Sequence, residues 1–149
     1  MTEKIVVGVD DSAGARAALA WAGRQAEATG ADLSVVHVFE LNLAWIDAYD
    51  PEIPVWADRG REIAQRLLVR VVQEVLGERA AETVELEAVE GDPAQTLRAA
   101  ALGADLLVVG CRGRGGFAGL LLGSVSQRVA QHPPCPVVVV PLPEDVKPD

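Results

Sequence analysis

The sequence predicts an α/β fold, a single-domain open parallel sheet of five strands with helices on both faces. Two features of the pattern carry that reading. Continuous apolar runs at Ile5–Val9, Leu33–Phe39, Leu106–Val109 and Val137–Val140 have the composition of strands buried on both sides. Stretches with helical spacing separate them, so each strand returns through a right-handed crossover that lays its helix over the sheet. At 149 residues, 50% of them hydrophobic, the chain has material for one core and no more.

In chain order the elements read β-α-β-α-β-α-β-α-β. After the first strand, Ser12 is placed to cap a helix whose apolar face is Ala15, Ala18, Leu19, Ala22 and Ala26, and Gly30 is placed to end it. The second strand leads into a long connection, Leu41 to Trp56, which carries Trp45, Tyr49 and Trp56 and two prolines. A second helix follows with Ala64, Leu67, Leu68, Val71 and Val75 on one face. The segment from Thr83 to Val89 alternates polar and apolar residues, as a strand with one wet face does. Asp92-Pro93 opens a third helix with a capping carboxylate and a proline at its first position. The fourth apolar strand enters a second long connection, Gly110 to Leu122, and Gly123-Ser124 opens a last helix that stops at His132-Pro133-Pro134. Both long connections lie at carboxyl ends of strands, where open α/β sheets bind ligands. The last residues, 144–149, read as a solvated tail.

Composition removes several function classes. Thirteen Lys and Arg against 22 Asp and Glu give a net charge of −9, the wrong sign for a general nucleic-acid binder or an anionic-membrane binder. No apolar run reaches transmembrane length, and the first strand runs into Asp10-Asp11 instead of a leader's cleavage site, so a cytoplasmic location is expected. Two cysteines and two histidines are too few for a disulfide scaffold or a zinc site. The charge is also uneven. Residues 106–143 contain no Asp or Glu but do contain Arg112, Arg114 and Arg128. Such a window suits an anion, and it equally suits buried strand and glycine loop.

The window holds the chain's most informative segment, six glycines between Gly110 and Gly123, leaving a buried strand and entering a helix. Glycines let backbone N–H groups approach a ligand, and a helix's first turn offers unpaired N–H groups and partial positive charge. Phosphate is the natural guest, with Ser124 and Ser126 as hydroxyl donors and Arg112 or Arg114 to close over the oxygens. A Walker A loop is excluded, because the chain's lysines are Lys4 and Lys147 alone. Gly113-x-Gly115-x-x-Ala118 satisfies a dinucleotide pattern, but it follows the fourth strand and has no acidic residue about 20 positions on.

The spacing Gly110-x2-Gly113-x9-Gly123-Ser124 resembles the signature of the universal stress protein family, in its ATP-binding branch. The opening Ile5 to Ser12, the second strand's His37-Val38 and the segment Cys135 to Val140 are also similar to that family, so the resemblance covers nearly the whole chain. It implies strand order 3-2-1-4-5 and one nucleotide-binding domain, residues 1–143. It also implies ATP as ligand, with or without magnesium. On that resemblance Asp10 contacts the adenosine and the backbone at Val38 the adenine, while Gly110, Gly113, Gly123, Ser124 and Val125 contact ribose and phosphates. Gly8, Val9, Val109, Arg112 and Ser126 complete the candidate set. Asp10 has a second reading as a helix cap shared with Asp11 and Ser12.

In that layout Cys111 and Cys135 fall at opposite ends of neighbouring strands, about 17–20 Å apart and beyond disulfide reach. His37 reads as a hydrogen-bonded core histidine, and His132 as a favourable charge at a helix C-terminus. Trp45, Tyr49 and Trp56 read either as cover for a bound base or as ordinary lid packing. Val137–Val140 becomes an exposed apolar edge, and a twofold homodimer in which two such edges meet is the simplest resolution, one the resemblance also implies. A response-regulator receiver fails, since Val89-Glu90-Gly91 lacks its phospho-accepting Asp and Val140-Pro141-Leu142 its Lys. What stands is an adenine-nucleotide-holding regulatory or stress-response protein, with a slow ATPase or autophosphorylating enzyme at the same site as the alternative.

Overall fold

Four valine- and leucine-rich runs and one alternating segment give five strands, and a computed structural model of the protein, which describes residues 2–41, 53–111 and 122–143, sets them in one parallel sheet. They are β1 (Lys4–Gly8), β2 (Asp32–Phe39), β3 (Glu85–Glu90), β4 (Leu106–Gly110) and β5 (Val137–Val140), in the order β3-β2-β1-β4-β5. The helices are α1 (Ala13–Thr29), α2 (Ile53–Leu76), α3 (Glu78–Thr83), α4 (Pro93–Ala100) and α5 (Ser124–Gln131). Period-2 alternation divides the strand side chains between two cores. On one face Ile5, Val7, Val35 and Val108 pack under Ala18, Leu19, Leu68 and Val71 of α1 and α2. On the other, Val6, Val36, Leu107 and Val109 pack under Ala94, Leu97 and Val129 of α4 and α5.

The expected caps form. Ser12 accepts the Ala15 amide at 3.2 Å, Gly30 ends α1 at φ 73°, and Asp92 accepts the Gln95 amide at 3.0 Å with Pro93 at the helix start. The pattern of four helices is corrected to five among the described residues. Gly77, at φ 96°, stops α2, and Glu78–Thr83 then winds one more short helix before β3 begins at Glu85 instead of Thr83. Helix α2 starts at Ile53, inside the stretch read as connection.

The two sheet edges differ in chemistry. Strand β3 presents exposed Glu85, Glu87 and Glu90, whereas β5 is four valines, Val137 to Val139 half-buried and Val140 buried. Cys111 follows β4 and Cys135 precedes β5, and both are free thiols. Burial, with the charge of Asp105 adding to it, pushes the Cys135 thiol up. Among the described residues no helix is long and apolar enough to cross a membrane.

Candidate functional site

Strands β1 and β4 are neighbours, with Ile5, Val6 and Val7 paired to Leu106, Leu107 and Val108. Beyond them the chain departs to opposite faces, into α1 after β1 and towards α5 after β4, which opens a crevice at the carboxyl end of the sheet. The crevice is a cavity of about 190 Å³. Its floor is Gly8, Val9, Val36, Val38, Val109 and Gly110. One wall is Pro93 and Leu97 from α4, the other is Gly123 to Ser126 at the start of α5, and Asp10 and Ala15 close the side towards α1.

Three of the helices that begin at this end of the sheet, α1, α4 and α5, border the cavity, and their N-termini are not alike. Helices α1 and α4 are capped by their own side chains, Ser12 and Asp92. Helix α5 is preceded by Gly123 as its cap residue, which has no side chain to cap it, and no acidic residue lies in its first turn. Unpaired N–H groups and the positive end of the helix dipole therefore meet the cavity at Ser124 and Val125. Asp10 is oriented by the Ser12 amide, which donates to its Oδ1 at 2.8 Å. Arg128 of α5 reaches Asp92 Oδ1 at 3.3 Å, joining the two walls. The Gln95 amide, with Arg128 adding to it, holds the Asp92 carboxyl below the usual carboxylate range.

A family model for the universal stress protein family matches residues 1–141. The chain belongs to the universal stress protein family. A universal stress protein of Mycobacterium tuberculosis is 37% identical over 139 residues, which are 91% of this chain and 46% of that protein. The chain thus spans about half the length of the curated relatives it matches first. Among solved structures, universal stress protein UspA from Lactobacillus plantarum is 26% identical, with a TM-score of 0.74 over 93% of this chain and 97% of that one. A universal stress protein in complex with cAMP is 28% identical, with a TM-score of 0.61 over 93% and 95%.

In this universal stress protein, ten of the twelve candidate residues named from the sequence line the one cavity: Gly8, Val9, Asp10, Val38, Val109, Gly110, Gly123, Ser124, Val125 and Ser126. Arg112 and Gly113 lie outside the described residues, as do Trp45, Tyr49 and the side chain of Trp56. Two of the ten have additional structural work. The Ser126 hydroxyl is buried and donates to the Gly110 carbonyl, tying α5 to β4. At Gly110 an added Cβ would stand 2.5 Å from the Gly14 carbonyl oxygen, so the glycine admits the first turn of α1. The Gly123 amide donates to the Cys111 carbonyl at 2.6 Å, bringing together the two ends of the connection between β4 and α5.

Sequence reading missed Ala15, Val36, Pro93 and Leu97. Val36 shares a strand face with Val38 at a spacing of two, and Leu97 shares a helix face with Pro93 at a spacing of four, so both were within reach of periodicity. An added Cβ on Gly8 would come within 2.7 Å of Leu97 Cδ1, so Gly8 gives Leu97 its place in the wall.

Proposed function

We propose that this universal stress protein belongs to the family's ATP-binding branch and holds an adenine nucleotide in the crevice between β1 and β4. The observation that carries the reading is the cavity's composition. The valine floor suits a flat apolar base, Asp10 supplies a carboxylate acceptor for hydroxyls, and the α5 N-terminus, without a side-chain cap, supplies donors for phosphate. The cavity is smaller than the ~300–1,000 Å³ pockets that enclose a whole drug-sized ligand. Base and sugar occupy it, and the phosphates extend over Ser124 at the start of α5. The family resemblance of the Gly110-x2-Gly113-x9-Gly123-Ser124 spacing and the cAMP-bound relative support the same ligand class.

Asp10 is the single ionisable side chain among the described cavity residues, and it already orients the Ser12 amide. That supports holding over turnover. Magnesium, where bound, is held mainly by the phosphate oxygens. The edge chemistry supports a twofold homodimer, because β5 offers an apolar backbone edge while the glutamates of β3 repel a partner. We take residues 1–143 as the working domain, in the cytoplasm; residues 144–149, expected from the sequence to be a tail, lie outside the described residues.

Calorimetric titration of dialysed protein with ATP, AMP, cAMP and adenosine tests the reading. Saturable heat with ATP that Val38→Trp abolishes is the expected result. No heat at high micromolar concentrations of any of the four sinks it. Incubation with labelled ATP separates holding from turnover, for which the expected result is neither released phosphate nor labelled protein.

A further inference from the structure

We infer that His37 is a positioning residue for the nucleotide cleft: from the back of the sheet its imidazole fixes the Val9 carbonyl, and with it the turn that carries Asp10. The inference deepens the proposed function and rests on it. Val9 lies one residue past the last β1–β2 pair, Gly8 with Val36. Its amide still donates to the Val36 carbonyl at 2.9 Å. Its carbonyl lies 2.8 Å from His37 Nδ1, and a carbonyl can only accept, so Nδ1 carries the proton and donates.

The next links are equally local. Asp10 follows Val9 directly, its Oδ1 accepts the Ser12 amide at 2.8 Å, and the Ser12 hydroxyl and carbonyl accept the Ala15 and Arg16 amides that open α1. A displacement of the Val9 peptide therefore moves the Asp10 carboxylate and the start of α1 together. His37 is buried at 8% exposure. Alternation along β2 puts its side chain on the face opposite Val36 and Val38, which line the cleft. A change at His37 thus alters no cleft wall directly and acts on a ligand only through the Val9 peptide.

Geometry sets the test. An Asn amide nitrogen occupies the place of imidazole Nδ1, whereas Phe keeps the bulk and offers no donor, leaving a buried carbonyl unpaired. Titration with ATP is expected to show His37→Asn within about threefold of the parent and His37→Phe weaker by about tenfold or more. In the nucleotide-free protein, amide hydrogen exchange at Val9 and Ser12 is expected to quicken in His37→Phe and to stay near the parent rate in His37→Asn. The nitrogen chemical shifts of His37 are expected to show the proton on Nδ1. Equal affinity and equal exchange in His37→Phe and parent overturn the inference, and so does His37→Asn failing as badly as His37→Phe, or a bare Nδ1. A parent that binds no ATP refutes the nucleotide reading alone, since exchange and nitrogen shifts still judge the positioning role.

Discussion

Replacing Ser124 by Asp is expected to move stability and nucleotide affinity in opposite directions. Ser124 is exposed at the first position of α5, whose Gly123 cap has no side chain and whose first turn holds no acid. Without nucleotide, a carboxylate there meets unpaired N–H groups and the positive end of the helix dipole, a gain of about 0.3–1 kcal/mol. In a domain of this size that raises the melting temperature by about 1–4 °C. With ATP present the carboxylate competes for the same donors and repels the phosphate. At about 5 Å and an effective dielectric of about 40–80, the repulsion is about 0.8–1.7 kcal/mol per charge pair, or about 4- to 18-fold in affinity. Thermal denaturation of the nucleotide-free variant reads the first effect, and titration with ATP and with adenosine reads the second. Adenosine affinity stays within about twofold, and the ATP loss shrinks as salt rises. A higher melting temperature with unchanged ATP affinity removes the phosphate from α5. An equal loss for adenosine means that the charge argument is wrong.

Other substitutions test separate parts of the structure. Gly110→Ala drives a methyl into the Gly14 backbone and is expected to cost about 1–3 kcal/mol in chemical denaturation. Gly8→Ala meets only the movable end of Leu97, so it costs under about 1 kcal/mol while shifting nucleotide affinity, and the two variants together separate frame from wall. The carbonyl of Pro136, just before β5, accepts from Leu107 of β4, and that of Val140 accepts from Cys111, just past β4, so alternation turns the N–H and C=O of Val137 and Val139 outward. Val139→Pro is accordingly expected to halve the mass seen by light scattering without unfolding the chain, and an unchanged mass would refute pairing through β5. Asp92 titrates below its ordinary 3.8 in the folded protein, so its stabilising contribution is present above that pH and is lost as pH falls through the lower folded value. The stability difference between parent and Asp92→Asn is expected to shrink as pH falls below 3.8 in urea unfolding curves, and a difference that is constant with pH would deny the shift.

What the sequence disclosed depended on how locally each feature is encoded. Strands β1, β2, β4 and β5 were legible because a valine run buried on two faces resembles little else, and their order followed from the family resemblance. Ser12, Gly30, Asp92 and Pro93 marked helix ends because capping is a matter of one or two residues. Helix α3 was missed because nothing in Glu78–Thr83 distinguishes a new helix from a fraying end of α2, and the positive φ of Gly77 is visible only in the fold. The glycine spacing located the cleft, but at Gly110 the reason is partly the approach of α1 from the other side of the sheet, a contact between residues nearly a hundred positions apart. The His37 to Val9 hydrogen bond was hidden for the same reason, although a bonded core histidine was expected there.

The unlike rims of the sheet also limit stoichiometry. A strand bordered by glutamates at 85, 87 and 90 turns newcomers away, so a molecule that docks along its valine rim has no sticky flank left for a third. On the proposed pairing through β5, growth by strand addition ends at two copies, and concentrated protein is expected to form no ribbon-like polymers.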